Sequence, residues 1–318
     1  MSTLAENVAK VTAAHAALKT AIAAKGVAVP DGTKLSGMPA LVEQIQTGGA
    51  TEPNMSRAVF AYDGAGSLLV PPTVVVDMTE ATNLSYCFYH CREVSYLSLP
   101  AGFGQAATNL SCCFYFCDGL RSLSLPAGFG QAATNLSYCF YHCYGVRALT
   151  LPAGFGQNAT DIGHCFDECA YLPRLSLPDG FGQNATSLYL CFRNCTELAS
   201  LTLPAECGKN ATSIGSCFAS CIKLASLTLP AGFGQNATSS YNCFYQCTAL
   251  TTITGSPNFK VSLDLSPCPN LTHDSLMVVI NGLQTVTTTQ TLTLGTTNLA
   301  KLTDEEKKVA TDKGWTLA

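Results

Sequence analysis

Charge is scarce in this chain. Only 12% of its 318 residues are Asp, Glu, Lys or Arg, and 17 basic against 21 acidic side chains leave a net charge of −4. A nucleic-acid groove needs a basic stripe; none is present, so nucleic acid is not an expected partner. No run of 18 apolar residues occurs, so no segment is expected to insert into a membrane. The chain opens Met1-Ser2-Thr3-Leu4-Ala5-Glu6-Asn7. Residues 1–25 have neither the charged start nor the apolar block of a signal peptide, so export by the general route is not expected. No Gly-rich phosphate loop, paired catalytic carboxylates or nucleophile–base arrangement stands out. The expected protein is therefore not an enzyme and takes no cofactor and no metal.

Against that background the cysteines stand out. There are 17, and fourteen of them fall at two fixed slots of a Cys-Phe-x-x-Cys motif. The first slot holds Cys87, Cys113, Cys139, Cys165, Cys191, Cys217 and Cys243, and the second Cys91, Cys117, Cys143, Cys169, Cys195, Cys221 and Cys247. Consecutive motifs are 26 residues apart, without insertion or deletion, over seven units. A fixed period of this length is the signature of a solenoid, in which each unit buries its apolar edge against the next. Within a unit, Leu120, Leu123 and Leu125 match Val94, Leu97 and Leu99 before and Val146, Leu149 and Leu151 after. Leu-x-x-Leu-x-Leu-Pro reads as a short strand with alternate residues inward, ended by a proline that cannot donate to a ladder. Gly128 and Gly130 allow a tight corner around Phe129. Phe103, Phe155, Phe181, Phe233 and Phe259 share the Phe129 slot, which Cys207 fills once. Strands of successive coils should stack as a parallel sheet.

Three roles are open to the cysteines. Cys-x3-Cys is an unusual zinc spacing, and a row of identical sites would lack second ligand pairs. Disulfides suit oxidising compartments, and a column of seven cannot pair off completely. The reading adopted is that the fourteen are structural columns, small apolar fillers of narrow buried positions. Cys112, Cys207 and Cys268 fall outside both columns and are read as incidental. His164-Cys165-Phe166-Asp167-Glu168-Cys169 gathers a histidine, two acids and two thiols; it is read as a surface cluster rather than a metal site or a catalytic dyad. Asn-Ala-Thr at 158, 184, 210 and 236 repeats with the corner, and is read as an asparagine or threonine ladder rather than as glycosylation sites.

The remaining segments frame the array. Residues 1–47 are expected to be a helical attachment or oligomerisation segment, with helices over 4–25 and 38–46, too small to form a stable core alone. Residues 48–56 read as a linker. Residues 57–81, with short β-type runs at 59–62, 68–70 and 74–76, read as an N-terminal β cap. Residues 82–259 are the repeats. Residues 260–318 read as an α/β C-terminal cap, with strands at 263–265, 291–295 and 315–317. Its helices are expected at 272–283 and from about 304 to 313, the latter behind the Thr303/Glu306 capping box.

The Leu-x-x-Leu-x-Leu-Pro strand, with a return segment carrying Phe and Cys, resembles the leucine-rich repeats of the BspA-like family over residues 82–259. This unit is longer per turn, and it places Cys before Phe where that family often has Ala. The stretch from Leu271 to Leu317 is similar to C-terminal ends of BspA-like proteins and of phage tail-associated proteins of gut bacteria. Lys25-Gly26-Val27-Ala28-Val29-Pro30-Asp31-Gly32 is similar to a leader of phage structural proteins. The resemblance implies surface recognition by bacteria or phage rather than catalysis.

What varies between units points to the binding face. The pairs between the cysteines run Tyr89-His90, Tyr115-Phe116, Tyr141-His142, then Asp167-Glu168, Arg193-Asn194, Ala219-Ser220 and Tyr245-Gln246. With Tyr96, Arg121 and Arg147 before the strands, the early units concentrate aromatics and arginines on outward slots. The expected ligand-binding residues are Tyr89, His90, Tyr96, Tyr115, Phe116, Arg121, Tyr141, His142 and Arg147, suited to stacking on sugars or anchoring a protein. The expected function is a phage tail fibre or receptor-binding protein engaging a glycan or protein of a bacterial surface. It would be a homo-oligomer, located in the virion after assembly in the host cytoplasm and joined to virion or tail proteins through residues 1–47. The alternatives are a BspA-like adhesin at the bacterial cell surface, and a structural virion or injection-system component without a ligand.

Overall fold

A computed structural model describes residues 61–62, 68–69, 80–92 and 94–318. Strands β1 (Ala61–Tyr62) and β2 (Leu68–Leu69) pair antiparallel, within two of the runs expected to be extended. The third run, the helices expected over 4–25 and 38–46, and the linker lie outside the described residues.

The expected strands form in the repeats. They are β3 (Tyr96–Ser98), β4 (Ser122–Ser124), β5 (Ala148–Thr150), β6 (Ser200–Thr202), β7 (Ser226–Leu229) and β8 (Thr252–Gly255). In β3 to β6 the middle leucine is buried and its neighbours are exposed. The pairing is parallel and in register, with Leu97 beside Leu123 and Leu149, then Leu201 beside Leu227 and Ile253. Between the two three-stranded sheets only the bridge Thr150–Ser176 survives. Pro173 accounts for the gap. Its counterpart Arg147 donates its N–H to Arg121 O at 3.2 Å; proline has no N–H to give.

The Cys-Phe-x-x-Cys segment is neither helix nor strand. Its backbone amides alternate between two duties. Cys87, Tyr89 and Cys91 close local turns onto Leu84, Tyr86 and Phe88, while Tyr86, Phe88 and His90 donate to Ser111, Cys113 and Tyr115 of the next coil. Every amide of the segment is thus satisfied without regular structure. The geometry requires positive φ twice per unit: at the residue before the first cysteine (Tyr86, Cys112, Tyr138, His164, Leu190, Ser216, Asn242) and at the residue before the second (His90, Phe116, His142, Glu168, Asn194, Ser220, Gln246). Left-handed backbone costs an ordinary side chain about 1–2 kcal/mol. It persists here because inter-coil hydrogen bonds such as His90 N to Tyr115 O, 2.7 Å, over-determine it.

The core is built of columns. Phe88, Phe114, Phe140, Phe166, Phe192, Phe218 and Phe244 are buried and stack nearly parallel, with centroids 5.0 to 5.9 Å apart. A second column, Phe103, Phe129, Phe155 and Phe181, lies against it at a tilt of 43–49°. Cys207 sits buried in that second slot, as read from the sequence. The glycines after Phe103 and Phe129 are obligatory: a Cβ on Gly130 would stand 2.6 Å from Phe155 Cδ2, and its φ is +69°.

The cysteines do more than fill space. In the second column the thiols of Cys117, Cys143, Cys169, Cys195, Cys221 and Cys247 donate to the phenylalanine carbonyl of the preceding coil at 3.0–3.3 Å. An alanine would fit the volume but give no donor. Cys268 corrects the reading of it as incidental. It is buried, and its thiol reaches Phe244 O at 3.8 Å, so the same ladder continues past the repeats. None of the 17 cysteines forms a disulfide; sixteen are buried and Cys91 is half-buried. Burial pushes the Cys87 and Cys207 thiols up to about 12, and Cys113 well above its ordinary value for the same reason. Iodoacetamide at pH 8 should therefore label the native protein at Cys91 alone, and all 17 thiols once denaturant is added without reductant. A mass spectrum with fewer than 17 labels after denaturation would contradict the thiol ladder.

The corner ladders form as expected. Thr108, Thr134, Thr160, Thr186, Thr212 and Thr238 each donate a hydroxyl to the carbonyl of the threonine 26 positions earlier. Asn158, Asn184, Asn210 and Asn236 donate their amides to Gln131, Gln157, Gln183 and Lys209 O.

After the repeats come β9 (Leu263–Asp264), α1 (His273–Asn281), β10 (Gln290–Thr293), α2 (Gly295–Leu299), α3 (Asp304–Asp312) and β11 (Trp315–Leu317). The three strands form one parallel sheet in the order β11-β10-β9. Thr303 and Glu306 make the expected capping box. The short helix α2 was not expected. Helix α1 takes the place of a further strand beside β8: Ser275 Oγ accepts from Ile253 N and donates to Thr251 O. This covers a sheet edge that would otherwise pair with another chain.

Candidate functional site

The stacking that builds the core also aligns the outward slots. Residues 26 apart lie one above another, so like side chains form ladders. Tyr89, Tyr115 and Tyr141 stack with centroids 5.1 and 4.7 Å apart. Beside them His90, Phe116 and His142 stack at 4.9 and 4.3 Å. The ladders touch each other through Tyr89–His90 and Tyr115–Phe116. Tyr89 is 45% exposed, while Tyr115, Phe116, Tyr141 and His142 are half-buried by their neighbours. The left-handed backbone at His90, Phe116 and His142 accompanies this second row. A third row, Tyr138 on His164 at 4.1 Å, flanks the first. The structure thus brings together six of the nine residues singled out in the sequence.

The other three lie apart from the ladder. Tyr96, 63% exposed, stands on the outer side of β3. Arg121 and Arg147 line a shallow groove of about 230 Å³ together with Ser95, Asp118, Gly119, Tyr144, Gly145 and Tyr171. Asp118 joins the groove to the ladder, accepting from His142 Nδ1 at 2.8 Å and facing Arg92 at 3.5 Å. Sequence reading missed Asp118, Tyr144 and Tyr171. The available signal was the two positions after the second cysteine, which vary as freely as the two before it.

Electrostatics keep the surface neutral at its aromatic end. Burial, then the neighbouring Tyr89, raises the Tyr115 phenol, and burial with the Glu168 and Asp167 carboxylates raises Tyr141. Both hydroxyls stay protonated and available as donors. Burial, then Arg92, lowers His90, which favours neutral imidazole.

The cluster around residue 167 differs from the surface group expected. Asp167 is fully buried. Arg193 of the next coil grips it with two bonds, Nε–Oδ1 2.8 Å and Nη2–Oδ2 2.9 Å, and His164 Nδ1 lies 2.8 Å from Oδ2. Arg193 also reaches Glu168 at 3.2 Å, which in turn meets His142 Nε2 at 3.2 Å. The short Asp167 side chain points into the stack where tyrosine lies across it, so its charge is met inside, not by water. This ion network ends the aromatic ladder. Among the described residues no group of three or more His, Cys, Asp or Glu side chains could hold a metal ion, and no helix is long and apolar enough to cross a membrane.

Residues 82–206 and 163–265 match the BspA-type leucine-rich repeat region, in six copies. The chain belongs to this family. Solved structures similar to the BspA-type chain include a leucine-rich repeat protein from Bacteroides ovatus, at 16% identity and a TM-score of 0.36, with 56% of this chain and 45% of that one covered. A leucine-rich repeat protein of T. pallidum matches at 19% identity and a TM-score of 0.32, over 62% and 74% of the two chains. A leucine-rich cell surface protein from Faecalibacterium prausnitzii matches at 19% and 0.27, over 53% and 62%. The chain thus spans under half the length of the B. ovatus protein. No curated protein sequence matches it.

Proposed function

We propose that this BspA-type chain is a non-enzymatic recognition module whose solenoid engages a bacterial surface through the aromatic ladder of its early repeats. The observation that carries this reading is the double row Tyr89–Tyr115–Tyr141 and His90–Phe116–His142, held partly open to solvent by paired, in-register stacking. Rigid aromatic rows present large contact area at little ordering cost, the property of sugar-stacking platforms and protein hot spots. In its narrower form the chain is a phage tail fibre or receptor-binding protein, a homo-oligomer joined to the virion through residues 1–47. BspA-type membership supports equally a bacterial surface adhesin.

The test is binding of fluorescently labelled protein to gut bacterial cells. Replacing Tyr89, Tyr115 and Tyr141 together by Ala should weaken binding more than tenfold, on the scale of about 2 kcal/mol or more for aromatic hot spots. Circular dichroism should show the fold retained. Tyr245→Ala, in the same slot at the far end of the array, should leave binding unchanged. A triple variant that folds and binds as well as the parent would remove the ladder from the site.

A further inference from the structure

The groove beside the ladder has a chemistry of its own. Arg121 and Arg147 occupy the same slot of adjacent coils, linked by the hydrogen bond from Arg147 N to Arg121 O. Coils in such a ladder stack about 4.8 Å apart, and like charges side by side in a sheet repel. Among the described residues neither guanidinium meets a carboxylate; the one aspartate lining the groove, Asp118, is engaged by His142 and Arg92. Two arginines side by side, with no carboxylate against either among the described residues, are unexpected in a chain of net charge −4.

The rest of the groove is shaped for a flat, polar ligand. Its floor is bare because Gly119 and Gly145 admit no side chain: a Cβ would lie 2.0 Å from Arg92 O and 2.4 Å from Asp118 O respectively. The same slot carries Tyr171, Glu197 and Lys223 in later coils. One wall is aromatic. Tyr144 and Tyr171 meet edge to face at 4.5 Å with their hydroxyls 3.4 Å apart, and the Arg147 guanidinium lies 5.7 Å from the Tyr171 ring centre. That contact holds the Arg147 side chain against the wall.

We propose that this groove binds the acidic group of an anionic polysaccharide, a uronic-acid carboxylate or a sulfate ester, bridged by the guanidinium groups of Arg121 and Arg147, with the sugar ring against Tyr144 and Tyr171. Planar guanidinium forks match such oxyanions in paired hydrogen bonds. Phenolic rings suit a sugar face, and the paired Tyr144 and Tyr171 hydroxyls keep acceptor lone pairs, and the proton not shared between them, for its hydroxyls. The proposal deepens the recognition reading above and rests on it.

Calorimetric titration of the full chain tests it, with oligogalacturonate, its methyl ester, dextran sulfate, dextran and lipoteichoic acid as probes. Oligogalacturonate or dextran sulfate should bind, the methyl ester and dextran should not, and added salt should weaken the binding. R121Q/R147Q should lose at least tenfold with an unchanged melting temperature, since both side chains are exposed, and Arg174→Gln should change nothing. Equal binding of the ester, an unaffected double variant, or an equal loss in the Arg174 variant would each overturn the groove. Binding of lipoteichoic acid alone would assign it to a phosphodiester polymer and overturn the acidic-sugar claim. The two readings fail separately. Loss of anion discrimination with cell binding intact sinks the groove alone, and a tyrosine triple variant that binds cells normally sinks the ladder alone.

Discussion

Arg193→Ala should lower the stability of the solenoid by about 3 kcal/mol, the lower end of the range for removing one partner of a buried ion pair. The lower end applies because Arg193 itself is 31% exposed, and water entering the vacated space would partly hydrate what remains. What remains is Asp167, fully buried and left with His164 at 2.8 Å as its principal partner. Chemical denaturation followed by far-UV circular dichroism measures the loss. The informative comparison is the double variant Asp167→Ala/Arg193→Ala. Ala219 fills the equivalent slot in a later coil, buried at 4% exposure, so the frame accepts alanine there. Removing both charges should therefore cost less than removing the arginine alone. A double variant less stable than the single would mean that the network contributes net stability, and that the cost assigned to the orphaned carboxylate is misplaced.

Phe140→Ala should cost about 3–5 kcal/mol, the usual penalty for emptying a core position that held a large ring. Phe140 stacks between Phe114 at 5.2 Å and Phe166 at 5.4 Å, and lies against Phe155 at 6.0 Å. Its neighbours cannot collapse into the void, because each is pinned to the next coil by a backbone hydrogen bond, Phe114 N to Cys139 O at 2.8 Å and Phe166 N to Cys191 O at 2.9 Å. Phe140→Leu keeps much of the volume and should cost no more than about 1.5 kcal/mol. In a stack whose units touch only their neighbours, the defect should also weaken the coupling of the two halves. Hydrogen exchange should then quicken on the N-terminal side of residue 140 while the stretch around Phe218 and Phe244 keeps its protection. Uniform acceleration along the whole array would contradict nearest-neighbour packing.

The period, the leucine strands, the phenylalanine and cysteine columns and the capping helices were legible because each rests on a repeated or local pattern. Other features follow from what one coil does to the next, which a single repeat does not display. The second-column thiols look like alanine substitutes until the phenylalanine carbonyl 29 positions earlier is seen to accept from them. Asp167 reads as a surface acid because its slot holds tyrosine elsewhere; its burial depends on Arg193 in the following coil. The left-handed residues carry little signature: of fourteen in the repeat slots only Asn194, Asn242 and the histidines His90, His142 and His164 are of a type enriched in the conformation. Pro173 is different. The break it makes in the sheet was available from the residue alone, because a missing N–H needs no context. In the site, the ladder residues were legible as aromatic variable slots, whereas the groove was hidden, since its shape comes from the absence of side chains at Gly119 and Gly145.

The ladder bonds that hold this protein together join residues 25 to 29 positions apart, whichever coil they occupy. The sequence separation of its contacts therefore does not grow as coils are added, and the topological brake on folding stays constant with length. A gene encoding such a chain can lengthen by copying one coil, and the copy arrives with its thiol, its phenylalanines and its corner already matched to both neighbours. The two residues between the cysteines are then free to drift. The frame is inherited and the face is rewritten, one coil at a time.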